Sequence, residues 1–176
     1  KFYGDKIITD DSTVRSETSL RLLEAANAHF MNSATPEVYK YLMEERGLEL
    51  DTIENHRFGY DDGSLYKHLI SLGFQKDEID SSGLIRKNNT DFLKGCITIP
   101  YITNGQVVAI RGKVIGGKYM TPPGNSARLY NTDSLLNATD VVVCEGEFDS
   151  IVVEQMGYAA VGVPGANVWQ SNWDNY

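Results

Sequence analysis

The residues best suited to chemistry lie between positions 145 and 149. Glu145 and Asp149 flank a Gly-Glu-Phe step. The apolar run before them, residues 141–144, is typical of a strand that is covered on both faces. A helix is predicted over residues 149–156. An acidic side chain at the carboxyl end of such a strand lies where α/β sheets bind ligands. Carboxylates there suit Mg²⁺, which prefers oxygen ligands and organises phosphoryl or nucleotidyl transfer.

Two neighbouring residues add to this acidic step. Gly146 is expected to let the backbone turn sharply and to let a ligand come close. Glu147 supplies a third carboxylate within five residues. The residues alone leave an alternative open, in which Asp149 is only a helix N-cap and Glu147 faces solvent.

A second group of candidate residues is cationic. The 176-residue chain carries a net charge of −8, but residues 81–132 are rich in Lys and Arg. Arg111 and Lys113 are two apart on a predicted strand, so they share a face. With Lys118, Tyr119 and Arg128, they could follow a phosphate backbone with little base specificity. The alternative is a solvated strand surface, where Lys and Arg are common.

Helical spacing of the apolar residues dominates the first half of the chain. It predicts one helix with Thr18 or Ser19 as its N-cap and Leu23, Ala26 and Phe30 on one face. A second helix is predicted to begin at Thr35-Pro36 and to close at Gly47. Three short helices are predicted over residues 51–56, 64–72 and 76–81.

From Phe92 onwards the apolar period changes to two, which predicts strands. Asn104-Gly105 separates two apolar runs and predicts a tight hairpin, because both residues accept positive φ. Pro100 lacks an N–H, so its strand should be at an edge or irregular there. Residues 141–163 read as strand, helix and strand, which predicts a βαβ unit with parallel strands.

Composition excludes several classes of protein. There are two cysteines, Cys96 and Cys144, so a four-cysteine zinc site and a disulfide framework are excluded and a reducing compartment is favoured. No apolar run approaches the roughly 20 residues that cross a bilayer, and the N-terminal residues contain no secretory apolar region. His29, His56 and His68 are isolated in helical segments and are expected at the surface or in caps.

The order of these segments resembles a known family. The chain looks like the RNA-polymerase core of bacterial and phage DnaG-type DNA primases, continuing into the first half of a Toprim fold. VVVCEGEFDSI matches the Toprim pattern E-G-x-x-D at Glu145, Gly146 and Asp149, and YAAVGVPGAN is similar to the second strand and its loop. YLMEERGLELDTIENHRFGY, DFLKGCITIPYITNGQVVAIRGKVI and GGKYMTPPGN are similar to three upstream family blocks. The resemblance covers roughly residues 19–169.

The resemblance implies an α+β fold in two parts. A helical and antiparallel-strand N-terminal subdomain would be followed by a truncated Toprim α/β subdomain with a parallel βαβ unit. We expect residues 1–17 to form an entry segment, residues 18–133 the basic subdomain, and residues 134–176 the first part of the Toprim subdomain.

The resemblance also implies roles. The activity would be synthesis of short RNA primers on single-stranded DNA from ribonucleoside triphosphates, with Mg²⁺ or Mn²⁺, in the cytoplasm of a bacterial or phage-infected cell. Glu145 would assist proton transfer from the attacking hydroxyl or hold metal, and Asp149 would support the metal. Arg111, Lys113, Lys118 and Arg128 would line the groove for template or nucleotide phosphates. A replicative helicase would be a partner, in cis or in trans.

One departure from the family pattern bears on activity. The later D-x-D of the Toprim pattern is not found up to Tyr176. The isolated chain is therefore expected to have an incomplete metal site and to be inactive. Alternatives are the primase part of a phage or plasmid primase–helicase, a non-catalytic Toprim-type nucleic-acid binding module, and another Toprim enzyme such as a nuclease or topoisomerase.

Overall fold

The computed structural model describes residues 16–165, 169–171 and 173, which form two compact units. Residues 16–101 and 107–125 form the first, called here the N-terminal unit. Residues 102–106, together with the described residues from 126 onwards, form the second, called the C-terminal unit.

The N-terminal unit begins with helices. They are α1 (Glu17–Asn32), α2 (Pro36–Lys40), α3 (Leu50–Asn55), α4 (Leu65–Ser71) and α5 (Lys76–Ser81). A π-helical turn, Tyr41–Glu45, continues α2. The predicted face of α1 is confirmed, since Leu23, Ala26 and Phe30 are buried.

The structure corrects one helix start and confirms another. Helix α1 starts after Ser16, whose hydroxyl accepts a hydrogen bond from the backbone N–H of Ser19 at 3.2 Å, so the predicted N-caps are two or three residues too late. Ser16, Thr18 and Ser19 all carry hydroxyl groups, and the first of the three satisfies a free N–H of the first turn. Pro36 takes the first position of α2, and Gly47 has the expected left-handed conformation, with φ 69°.

The chain also forms an antiparallel sheet, whose first strand lies between α3 and α4. Its strands are β1 (Gly59–Tyr60), β2 (Ile97–Thr103), β3 (Gln106–Lys113) and β4 (Tyr119–Met120), in the order β1-β2-β3-β4. Asn104 and Gly105 have φ of 52° and 74°, which confirms the predicted tight hairpin. Strand β1 pairs with β2 only at residues 97 and 98, so Pro100 lies beyond the end of β1, on a part of β2 that β1 does not cover.

The C-terminal unit contains the predicted βαβ unit. Strand β5 (Val142–Cys144) leads through α6 (Glu147–Gln155) to β6 (Ala160–Gly162), and the two strands are parallel. Tyr130 forms an antiparallel bridge with Gly162. Among the described residues β5 has only β6 as a neighbouring strand, and Val142 and Val143 are 42% and 54% exposed. The expectation that both faces of this strand are covered is therefore wrong for these residues.

No helix in the described part of the chain is long and apolar enough to cross a membrane.

Candidate functional site

The acidic step lies at the carboxyl end of β5. Glu145 follows the last residue of the strand and is exposed. Gly146 is the N-cap residue of α6, and Asp149 is the third residue of that helix and is also exposed. The strand and the helix thus present two carboxylates near a helix N-terminus, where negative charge is stabilised.

The chain bends at Gly146, as the sequence suggested, but the bend does not require a glycine. Its φ of −161° and ψ of 174° are extended, a conformation open to any residue. A Cβ atom at Gly146 would have as its nearest neighbour Oδ2 of Asp149, at 3.6 Å. The side chain of Asp149 therefore reaches back across the start of its own helix, towards the end of β5.

The neighbouring thiol reports the same arrangement. Burial raises the pKa of Cys144, and the negative charge of Asp149 raises it further. Cys144 ends β5, and Asp149 lies in the first turn of α6. The carboxylate of Asp149 is therefore close enough to influence the end of the strand, which Glu145 follows directly.

Glu147 does not join the other two carboxylates at the surface. Its side chain is buried, with 2% exposure, and its backbone carbonyl accepts a hydrogen bond from the hydroxyl of Ser150 at 2.8 Å. The expectation of Glu147 as a third carboxylate of a metal site is therefore not supported, and neither is its alternative as a solvated residue. Within the described ranges, no group of three His, Cys, Asp or Glu side chains could hold a metal ion.

Three of the predicted cationic and aromatic residues meet on the sheet of the N-terminal unit. The guanidinium carbon of Arg111 lies 5.0 Å from the ring centre of Tyr119, and Nζ of Lys113 lies 4.5 Å from it. Tyr119 is the cross-strand partner of Lys113 in the β3–β4 ladder. The prediction that Arg111 and Lys113 share a face of β3 is confirmed.

Two residues that the sequence analysis missed hold Arg111 in place. The Nε of Arg111 donates to the hydroxyl of Thr121 at 3.1 Å, and Nη1 donates to the hydroxyl of Tyr101 at 3.3 Å. Continuing the β3–β4 register places Thr121 opposite Arg111, so the register of this strand pair is the signal that would have found it. Tyr101 is 3% exposed and had no distinguishing signal in an apolar strand.

The remaining cations differ in their accessibility. Lys118 is exposed, whereas Lys113 is 8% exposed and donates a hydrogen bond to the carbonyl of Gly117. Arg128 is 5% exposed and belongs to the C-terminal unit, together with Glu145 and Asp149. Direct contact with a phosphate therefore suits Arg111 and Lys118 better than the two buried cations.

A shallow cavity of about 440 Å³ lies elsewhere in the C-terminal unit. Its lining includes Asp133, Ser134, Glu154 and Tyr158, but neither Glu145 nor Asp149. Glu154 already accepts hydrogen bonds from the Asn131 amide, at 2.7 Å, and from the Ser134 hydroxyl, at 3.2 Å. Ser134 and Glu154, two polar groups of this cavity, thus bond to each other or to Asn131 and attach α6 to the rest of the unit.

Comparison with known proteins identifies the family. The family model described as DNA primase catalytic core, N-terminal domain, matches residues 26–138. The chain belongs to this family.

Named relatives agree with this assignment. The chain is 42% identical over 89 residues to the Gene 57 protein of Mycobacterium phage D29, covering 46% of this chain and 59% of that protein. It is 28% identical over 178 residues to the DNA primase of Rickettsia felis, covering 89% of this chain and 30% of the primase. The chain thus spans less than two thirds of the length of either relative.

Solved structures show the same fold. The RNA polymerase domain of Mycobacterium tuberculosis primase DnaG, in complex with a double-stranded DNA oligomer with a 6-nucleotide overhang, matches with a TM-score of 0.80 and 20% identity, covering 92% of this chain and 58% of that one. A DnaG primase catalytic domain bound to single-stranded DNA matches with a TM-score of 0.69 and 21% identity, covering 85% and 54% of the two chains. The mixed fold, with its antiparallel sheet and parallel βαβ unit, is that of the DnaG catalytic core.

Proposed function

We propose that the polypeptide carrying these residues is a DNA primase that makes short RNA primers on single-stranded DNA by metal-dependent nucleotidyl transfer. Membership of the primase-core family supports this activity, and so do the DNA primase relatives of the chain. The structural observation that carries the proposal is the exposed pair Glu145 and Asp149 at the carboxyl end of β5. Exposed carboxylates on a strand end are accessible to a nucleotide and to a metal ion.

The donor chemistry of this pair fits Mg²⁺ or Mn²⁺. Glu145 and Asp149 offer oxygen ligands on an open surface, which hard divalent cations prefer. When bound, such an ion neutralises charge on the reacting phosphates. Glu145 accepts the proton of the attacking 3′-hydroxyl or shares in holding the ion, and Asp149 completes the carboxylate pair. Further ligands from outside the described residues would be needed, because two carboxylates alone bind Mg²⁺ weakly.

The cationic face of the sheet is proposed to bind the template strand or the triphosphate of the incoming ribonucleotide. Arg111 and Lys118 contact phosphate oxygens. Tyr119 supports this face because its ring packs against both Arg111 and Lys113. Arg128 reaches a phosphate only if its buried side chain moves. Phosphate contacts of this kind give affinity without base specificity.

We further propose a replicative helicase, in cis or in trans, as a partner and the bacterial or phage-infected cytoplasm as the location. Single-stranded template becomes available where a helicase separates the strands, which favours such a partner.

A primer-synthesis assay tests the proposal. The purified polypeptide is incubated with single-stranded DNA, labelled ribonucleoside triphosphates and Mg²⁺ or Mn²⁺. We expect short RNA products that require template and disappear with a chelator. Binding of single-stranded DNA without synthesis, even with the helicase of the same replication system, would instead identify a non-catalytic nucleic-acid binding module.

A further inference from the structure

Two buried aspartates of the N-terminal unit, Asp61 and Asp91, interact through their side chains. Asp61 follows β1, and Asp91 lies in the turn before β2; each is 1% exposed. The backbone of Asp61 is fixed by hydrogen bonds with Gly95 and Cys96, at 2.7 and 3.1 Å. The backbone of Asp91 is held by Arg86, whose Nη1 donates to the carbonyl oxygen of Asp91 at 2.7 Å. Hydrogen bonds to its main-chain atoms thus hold the backbone of each aspartate in place.

Asp91 caps helix α4 from a distant part of the chain. Its Oδ2 accepts the N–H of Leu65 at 2.8 Å, and its Oδ1 accepts the N–H of Tyr66 at 3.1 Å. These are the first two residues of α4, whose own N-cap residue, Ser64, makes no side-chain cap bond. Two backbone donors at a helix N-terminus favour the ionised form of a carboxyl group. Both side-chain oxygens of Asp91 are thus engaged as acceptors of backbone N–H groups.

Asp61 has a different set of contacts. Its Oδ1 accepts the N–H of Gly63 at 2.9 Å, but its Oδ2 is buried and, among the described residues, accepts no hydrogen bond. A buried, ionised oxygen beside a second carboxylate is strongly unfavourable. A proton on Oδ2 removes that charge and provides a donor towards Asp91. We propose that Asp61 keeps a proton that it shares with Asp91, and that this proton fastens the start of α4 to the loop after β1.

The charges around the pair agree with this assignment. Burial raises the pKa of Asp61 to about 7, and the negative charge of Asp91 is the next largest cause, with Asp62 adding to it. On α1 and α4, His29 and His68 stack with ring centres 4.2 Å apart, and Nε2 of His29 is 2.8 Å from the hydroxyl of Ser64. Burial and the charge of His68 lower the pKa of His29, so it is neutral at the pH where Asp61 titrates.

Two more groups complete the surroundings of Asp61. The pKa of the Cys96 thiol is raised, first by burial and then by the negative charge on Asp61. The side chain of Lys94 passes over Gly63, and its exposed end lies in solvent. Because the pKa of Asp61 is about 7, the shared proton makes the attachment of α4 sensitive to pH around neutrality.

The raised pKa of Asp61 decides how the stability of the protein changes with pH. The folded protein holds the Asp61 proton up to about pH 7, whereas an unfolded chain releases it near the ordinary value of 3.8. The folded state thus binds more protons over this interval, and the stabilising contribution falls as pH rises through about 7. The stabilisation by this proton is complete below pH 3.8, the ordinary pKa of an aspartate, and it is absent above neutral pH.

Chemical unfolding of Asp61→Asn as a function of pH tests the proposal. Asparagine keeps the acceptor for Gly63 and offers an N–H to Asp91, so it imitates the protonated acid at every pH. Between pH 5 and 7 we expect the unfolding constant of the unmodified chain, divided by that of Asp61→Asn, to rise nearly tenfold per pH unit, the slope of one proton. Above about pH 7 the ratio should become constant. Asp62→Asn, at an exposed neighbour, should leave this slope unchanged.

Equal slopes for the unmodified chain and Asp61→Asn would overturn the proposal. A carboxyl-carbon NMR titration of the unmodified chain gives an answer even if the variant folds poorly. An Asp61 signal that titrates near 7 supports the shared proton, and one that titrates near 4 contradicts it. Stabilisation by Mg²⁺ at pH 8 that disappears in Asp61→Asn would place a cation, rather than a proton, between the two carboxyl groups.

Discussion

The carbonyl oxygen of Gly146 packs directly against the Cα of Gly162. A Cβ atom at position 162 would lie 2.6 Å from that oxygen and 3.0 Å from the hydroxyl oxygen of Ser150. Gly162 also exchanges two backbone hydrogen bonds with Tyr130, at 2.8 and 3.1 Å. The start of α6 is therefore seated on β6 with no space between them, and this contact fixes the chain segment that presents Glu145.

Gly162→Ala is the first prediction from this contact. The added methyl group must displace the backbone of residue 146, so we expect a loss of about 1–3 kcal/mol in the free energy of unfolding. Urea denaturation measures it. Gly146→Ala is the matched control, because its extended backbone accepts any residue and its nearest neighbour would be 3.6 Å away. Equal stability of Gly162→Ala and the unmodified chain would contradict a close contact between residues 146 and 162.

The hydroxyl of Tyr101 is predicted to position Arg111 for phosphate binding. Tyr101→Phe removes one hydrogen bond to the guanidinium group, worth about 0.5–1.5 kcal/mol. The affinity for single-stranded DNA, measured by fluorescence anisotropy, should fall by about two- to tenfold. Tyr39→Phe, on α2, is the control. If Arg111→Ala weakens binding but Tyr101→Phe does not, Arg111 binds DNA without help from Tyr101.

The salt dependence of binding separates phosphate contacts from general surface effects. Arg111→Ala and Lys118→Ala should each reduce the slope of log K against log salt concentration by about 0.7, the value for one contact with single-stranded DNA. The control is Lys67→Ala, an exposed lysine of α4. If both variants have the slope of the unmodified polypeptide, Arg111 and Lys118 do not contact phosphates and belong to a solvated strand surface.

Asp133 is predicted to stabilise the tip of the β2–β3 hairpin. Its two carboxylate oxygens accept the N–H groups of Asn104 and Gly105, at 2.6 and 3.0 Å. Asp133→Ala leaves both donors without this partner and should lower the free energy of unfolding by about 1–3 kcal/mol. Asp140→Ala, at an exposed position, serves as the control. Faster amide hydrogen exchange at Asn104 and Gly105 in Asp133→Ala, but not in Asp140→Ala, would show that the loss of stability arises at the hairpin tip. Unchanged exchange in Asp133→Ala would contradict the predicted role of Asp133.

Features set by neighbouring residues in the chain were predictable. Asn104-Gly105 specified the hairpin because the turn demands two residues with positive φ, and α5 begins and ends at the predicted residues. The apolar runs at 141–144 and 159–163 predicted the parallel strand pair.

Features set by distant contacts were not predictable. Asp91 caps α4 across 26 residues, and no local pattern marks it. The motif drew attention to Gly146, yet the residue that leaves no room for a side chain is Gly162, because the close approach depends on how α6 returns to β6. The burial of Glu147, likewise, depends on which face of α6 packs against the strands.

The most direct test of the proposed activity is primer synthesis by Glu145→Gln in the polypeptide that carries these residues. Glutamine keeps the size of the side chain but cannot accept the proton of the attacking hydroxyl or bind a metal ion strongly. We predict a fall in the rate of synthesis of about 10²–10⁴-fold, with an unchanged Kd for single-stranded DNA, while Asp140→Asn retains full activity. Synthesis by Glu145→Gln at the unmodified rate would contradict the account.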